Sequence, residues 1–250
     1  MLSKGSDLTE IAKKYGVTRS SIARLLKRNG FEYKVRSRPR PRGIIDYSLT
    51  DLQKQVLLGD MFGDGGLVSV SNRSAYYYCM HSVDQKEFVL WKYLIFHPLS
   101  ARLPERIDCL EDGRRLFYVG AQTWSSKCLY DYYFKFYNKG NSPEKILTPD
   151  LLDGFIPLSL AVWYMGDGSL NRNTGVFHVG LINDLPPIAS TLSEKFSMLF
   201  KACRYKRQWH LRVMEPDKFF TLISPYLLNI FRYKVPERYR YLVATDPIAL

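Results

Sequence analysis

The spacing of apolar positions divides the chain into two unlike parts. Over residues 6–30, SDLTEIAKKYGVTRSSIARLLKRNG, Ser6 or Asp7 can cap a helix whose apolar face is Leu8, Ile11 and Ala12. Gly16 supplies a turn, Thr18 caps again, and Ile22, Leu25 and Leu26 recur at helical spacing until Gly30 stops the run. This is the spacing of a helix-turn-helix over 1–33, a unit whose second helix enters a major groove with its first turns leading. Thr18, Arg19, Ser20 and Arg24 would then meet bases or phosphates. A solvated helical hairpin is the plain alternative, and two helices this short have no core of their own. In KVRSRPRPRG, residues 34–43, Pro39 and Pro41 forbid helix and alternate with Arg36, Arg38, Arg40 and Arg42 in an extended chain. The segment 34–46 reads as a linker, as an arm lying in a minor groove, or as both.

From Tyr47 onward long periodic stretches take over. Thr50 caps a helix through VLLGDMFG, followed by strands at 66–71 and 75–82, a helix over 84–96, strands at 102–110 and 114–121 joined by Glu111, Asp112 and Gly113, and a helix near 125–137. The order then repeats. A helix through LSLAVWYMG precedes strands at 169–171 and 175–182, a helix over 187–201, strands at 203–208 and 209–214, and a helix over 217–228. Two copies of helix, two strands, helix, two strands, helix predict an α+β fold built by internal duplication, with halves at 47–146 and 147–250.

Composition supports a folded protein of this size: 250 residues, 46% of them hydrophobic, suffice for a sizeable core. The net charge of +12 favours a polyanionic partner or an anionic membrane surface, and most of it is N-terminal. Residues 1–43 hold 12 Lys and Arg against 3 Asp and Glu, a net of +9, which leaves 24 against 21 for the remainder. Cys79, Cys109, Cys128 and Cys203 have no paired spacing, so neither a zinc cluster nor a disulfide framework is signalled. His81, His97, His178 and His210 have none either, and packed or DNA-facing roles are expected of them. No secretory signal and no apolar run of membrane-spanning length is visible, which predicts a soluble, intracellular protein.

Chemistry enters where the duplication repeats a motif. LLGDMFGDG (57–65) and LAVWYMGDG (160–168) are each a largely apolar helix ending in Gly-Asp-Gly and running into a strand. One Asp-Gly after a helix is ordinary turn chemistry, but two at equivalent points of a duplicated chain are not. A carboxylate near a helix C-terminus meets the negative end of the dipole, and two brought together by equivalent helices repel each other. A divalent cation resolves that conflict: Mg²⁺, or another such as Mn²⁺, takes oxygen ligands and retains water. Asp64 and Asp167, with the main-chain carbonyls of Gly63 and Gly166, are the expected ligands. Gly59, Gly63, Ala161 and Gly166 are small positions that permit close helix approach.

These residues resemble the two motifs of a single-chain LAGLIDADG homing endonuclease, with Asp64 and Asp167 at the metal-binding acid position. Further stretches carry the resemblance over most of 47–240: DQKEFVLWKYL, VGAQT, EKILTP, PLSLAVWYMGDGSL and FRYKVP. The resemblance implies a pseudo-twofold fold with packed central helices and two four-stranded antiparallel sheets forming a saddle over double-stranded DNA. It also implies a monomer that cuts both strands at a long asymmetric site, with one assisting basic residue per half. The matching positions are Lys145 and Lys234. Two departures stand out. Val162, Trp163 and Tyr164 are bulky, which predicts a looser helix contact, and Asp60 adds a second acid in motif one, read as supporting or solvent-facing.

Alternation along RYKRQWHLRV sends Arg204, Lys206, Gln208, His210 and Arg212 outward if Tyr205, Trp209, Leu211 and Val213 turn inward. Arg73, Tyr76, Tyr78, Arg102, Arg106, Arg114 and Arg172 are further expected DNA contacts, with register open by one residue. Relatives of this fold also serve as non-cleaving DNA-binding regulators or intron RNA maturases. Presence of both acids favours the nuclease, and a membrane-surface role lacks a suitable lipid-facing helix.

Overall fold

The structure, a computed structural model, describes residues 47–111, 114–138, 140, 143–179, 184–205 and 208–243, and of 102–111 and 114–116 the backbone alone. The predicted helix-turn-helix and arm, with Arg19, Arg24, Arg36, Arg38, Arg40 and Arg42, lie outside the described residues, as does Lys206.

Thr50 opens the first helix, α1 (Asp51–Phe62), with a reciprocal cap: its Oγ1 accepts from Gln53 N at 3.2 Å while Gln53 Oε1 accepts from Thr50 N at 2.9 Å. Then follow β1 (Gly66–Ser71), β2 (Ser74–Ser82), α2 (Lys86–Ile95), β3 (Ser100–Glu111), β4 (Arg114–Thr123) and α3 (Lys127–Phe136). The second half repeats the order with α4 (Pro157–Asp167), β5 (Gly168–Asn171), β6 (Thr174–Val179), α5 (Leu185–Phe196), β7 (Phe200–Tyr205), β8 (Gln208–Val213) and α6 (Pro216–Ile223). Each half forms one antiparallel four-stranded sheet, ordered β1-β2-β4-β3 and β5-β6-β8-β7.

Two helices are shorter than their apolar patterns predict. Ser197 takes a left-handed conformation at φ 49° and ends α5 before the expected 201, releasing Phe200 into β7. Pro225 has no N–H to continue α6, so the chain tightens into a 3₁₀ turn at Ser224–Tyr226.

The core sits where α1 and α4 cross. Phe62 packs edge-on against Phe155 at 4.8 Å and tilted against Trp163 at 5.1 Å, and such aromatic pairs contribute about 0.5–1.5 kcal/mol each beyond their buried area. Bulk in the second motif does not loosen the contact, contrary to expectation. A Cβ on Gly59 would stand 2.2 Å from Ser159 O and 2.8 Å from Val162 Cβ, so the missing side chain on α1 is the room that Val162 occupies. Tyr164 turns into its own half against Phe177, Phe219 and Phe220, while Trp163 stays at the seam between Phe62 of α1 and Phe177 of its own sheet. Among the described residues, no helix is long and apolar enough to cross a membrane.

Candidate active site

Both motif helices end at the same place. Gly63 N and Gly65 N both donate to Asp60 O, at 3.0 and 2.8 Å, which turns the chain sharply and leaves Asp64 projecting beyond α1. Asp167 closes α4. The two ends interlock: a Cβ on Gly166 would lie 3.4 Å from Asp64 Oδ2, and one on Gly63 would lie 3.6 Å from Asp167 Oδ2. Each acid therefore rests on the glycine that precedes the other.

Placing two carboxylates together costs charge separation. Burial, then the neighbouring Asp64 carboxylate, pushes Asp167 up to about 7, and burial and Asp60 raise Asp64. A different ring nitrogen stands beside each acid. Trp163 Nε1 donates to Asp167 Oδ2 at 3.3 Å, and His81 Nδ1 faces Asp64 Oδ2 at 3.5 Å. Trp163 was not foreseen, although an indole N–H one helical turn before the acid was a legible signal.

Two lysines close the site from opposite sides. Lys145, held by a short bridge to Tyr137, donates to Gly63 O at 3.1 Å and Gly65 O at 2.7 Å. Lys234, at the end of the 3₁₀ turn Asn229–Lys234, donates to Met165 O at 2.7 Å and Gly166 O at 3.1 Å. Burial lowers both ammonium groups against the opposing pull of the acids, and Lys234 reaches about 8. Asp64, Asp167, Lys145, Lys234 and the carbonyls of Gly63 and Gly166 thus converge.

Asp60 is not solvent-facing. It is 1% exposed and paired with the fully buried Lys92, and it accepts a hydrogen bond from Tyr77. Burial opposes its charge, yet Lys92 and the Tyr77 hydroxyl hold its pKa below the ordinary value. Burial and Lys92 depress His81 to about 3, so its imidazole is neutral.

The sheet face beside the site carries several expected DNA contacts. Gln208 and Arg212 are exposed and His210 half-buried on β8, while Leu211 and Val213 are buried, as alternation predicts. On β7 Arg204 is exposed as expected, but Tyr205 does not turn inward. Tyr205 is 67% exposed and pairs with Gln208, whereas Arg204 pairs with Trp209 and lies 5.5 Å from its ring. The run is a hairpin, and paired residues share a face although their numbers differ by an odd count. A concavity of about 440 Å³ on this sheet is lined by His178, Cys203, Tyr205, His210 and Arg212, among others. Arg73 and Arg172 are exposed in the turns of the two first hairpins, and Tyr76 and Tyr78 share a face of β2, with Tyr78 41% exposed. Arg102 and Arg106 pair in register with Gln122 and Val119, and Arg114 with Glu111, but their side chains are outside the described residues.

The sequence profile of the LAGLIDADG DNA endonuclease family matches residues 54–219, spanning both motifs and both sheets. The chain belongs to the LAGLIDADG DNA endonuclease family. Within that family it is 31% identical over 125 residues to the probable intron-encoded DNA endonuclease 3 of Mycosarcoma maydis, covering 47% of this chain and 92% of that protein. It is 24% identical over 211 residues to the DNA endonuclease I-ChuI of Chlamydomonas applanata, covering 76% and 97% of the two chains. Its fold matches that of the homing endonuclease I-WcaI, solved bound to its DNA recognition sequence, with a TM-score of 0.69, 20% identity, and coverage of 76% of this chain and 88% of that one.

Proposed function

We propose that this LAGLIDADG protein is a homing endonuclease that makes double-strand breaks at a long, asymmetric DNA site, as a monomer, using a divalent cation such as Mg²⁺ or Mn²⁺. The observation that carries the reading is the interlocked pair of acids, each seated on the glycine before the other and each flanked by a lysine. Two juxtaposed carboxylates with raised pKa values fit a hard divalent cation, and the Gly63 and Gly166 carbonyls retain a second lone pair beside their lysine partners. Among the described residues no group of three or more His, Cys, Asp or Glu side chains could hold a metal, so waters and phosphate oxygens would complete the shell. When bound, the cation polarises the phosphate and activates water.

The chain's own residues do the rest. Trp163 fixes one oxygen of Asp167 and leaves the other free. Lys145 and Lys234 hold positive charge beside the acids, where it offsets charge building on a scissile phosphate. The exposed faces of the two sheets meet phosphates and base edges, and the helix-turn-helix of 1–33 with the arm of 34–46 extends the footprint. The test is cleavage of a randomised DNA library with and without Mg²⁺, by the chain and by its Asp64→Asn and Asp167→Asn variants. Specific binding without cutting overturns the nuclease reading, and unchanged cutting by either variant overturns the site.

A further inference from the structure

Behind Asp64 lies a buried ionic group that the two-acid chemistry does not require. Asp60, Lys92 and His81 are 1%, 0% and 4% exposed. Lys92 Nζ donates to Asp60 Oδ1 and lies 2.7 Å from His81 Nε2. An ammonium can only donate, so Nε2 of His81 must accept. In a neutral imidazole the ring proton then sits on Nδ1, the nitrogen that faces Asp64 Oδ2 across 3.5 Å. Gln85 also hydrogen-bonds the ring.

The second half shows that the fold itself does not need this group. Trp163 stands four residues before Asp167, as Asp60 stands before Asp64. Gly66 and Ser169, each two residues past its acid, pair with Tyr78 and Val176, so His81 corresponds to Val179. Lys92 corresponds to Leu192, each eight residues past Asp84 or Asp184. Trp163, Val179 and Leu192 are all buried and apolar in body. Since a buried ion pair stabilises no better than well-packed apolar side chains, its presence in one half alone calls for a role. Trp163 donates directly to Asp167. Asp60, an acid at the same helical position, cannot donate to Asp64.

We propose that His81 is a positioning residue whose Nδ1–H, fixed in that tautomer by the Asp60–Lys92 pair, holds one oxygen of Asp64 and leaves the other for the cation. It does for Asp64 what the Trp163 indole does for Asp167. The role rests on Asp64 being a metal-holding acid, but the tautomer does not.

The test uses the full chain in two steps. Ring-¹⁵N correlation spectra should give His81 as the Nδ1–H tautomer, with the signal assigned by its loss in His81→Asn. An Nε2–H tautomer in the unmodified chain overturns the proposal without any variant. Mn²⁺ titration followed by electron paramagnetic resonance, in an Asp167→Asn background without DNA, then reads the Asp64 side. His81→Val, which installs the residue of the other half, should weaken Mn²⁺ binding about tenfold or more, while His81→Asn, whose amide N–H replaces Nδ1–H, stays within about threefold. Equal weakening by both means that His81 only packs, and the proposal fails. Nδ1–H in a parent chain that binds no Mn²⁺ overturns the metal reading of Asp64, and the positioning role with it.

Discussion

Gly59→Ala tests how closely the motif helices must approach. The added methyl would lie 2.2 Å from Ser159 O and 2.8 Å from Val162 Cβ. Ser159 O is main chain inside α4 and cannot rotate aside, so relief requires the helices to separate by roughly 1 Å, the shortfall from ordinary carbon–oxygen contact. Overpacking of this kind costs about 1–3 kcal/mol or somewhat more, while exchanging a helical glycine for alanine returns up to about 1 kcal/mol. The net expectation is a loss of about 2 kcal/mol, or about 4–8 °C in Tm for a domain of this size. Gly166→Ala is the internal control: it lies in α4, gains the same propensity, and its methyl meets Asp64 Oδ2 at an ordinary 3.4 Å. Urea unfolding of both variants, with EDTA present, separates the two cases. If Gly59→Ala is as stable as the unmodified chain, the helix seam is not limited by backbone contact and the reasoning is wrong.

Lys92→Met should cost about 3–5 kcal/mol by leaving the Asp60 carboxylate buried and unpaired, and adding Asp60→Asn should recover much of it; a mild single variant in urea unfolding would contradict the buried pairing. Asp167 has a folded pKa of about 7, above its ordinary 3.8, so its contribution is fully present below about pH 4 and is lost as pH rises through 7. His81, depressed from 6.5 to about 3, runs the opposite way and loses stability as pH falls from about 6.5 through about 3. The stability difference between the unmodified chain and Asp167→Asn isolates the first effect, and it should move against the unmodified chain between pH 4 and 7; a flat difference refutes it. Divalent cation should reverse the penalty, so the Tm increase on adding Mn²⁺ should be larger at pH 8 than at pH 5 and vanish in the Asp64→Asn/Asp167→Asn double variant. Arg212→Ala should weaken DNA binding and reduce the salt slope by about one if it contacts a phosphate, which titration at several salt concentrations reads directly.

The duplication was legible because period-2 and helical patterns recur in the same order and Gly-Asp-Gly marks the same point in each copy. Residues whose role depends on a distant partner were not. Asp60 gave two readings from sequence because Lys92 and His81 reach it only through the fold. Val162 looked like an obstacle while α4 was read alone; the space it fills belongs to Gly59 on the other helix. Tyr205 was expected to turn inward because a continuous strand and a hairpin alternate alike until the turn is placed. Lys145 and Lys234 came from resemblance, since nothing in EKILTP or FRYKVP alone separates a lysine in a metal site from one on a turn.

The crossed seating of each acid on the opposite glycine bears on how such proteins can be recombined. A half of this chain joined to a half from a relative inherits a socket cut for a particular neighbour: Gly59 needs a backbone as close as that at Ser159, and Gly63 and Gly166 must each receive a foreign carboxylate. Hybrids should therefore tolerate exchange of whole sheets, which carry the outward faces, far better than exchange of a single motif helix. Target preference can drift in each half separately, while the two helix ends are constrained to change as a pair.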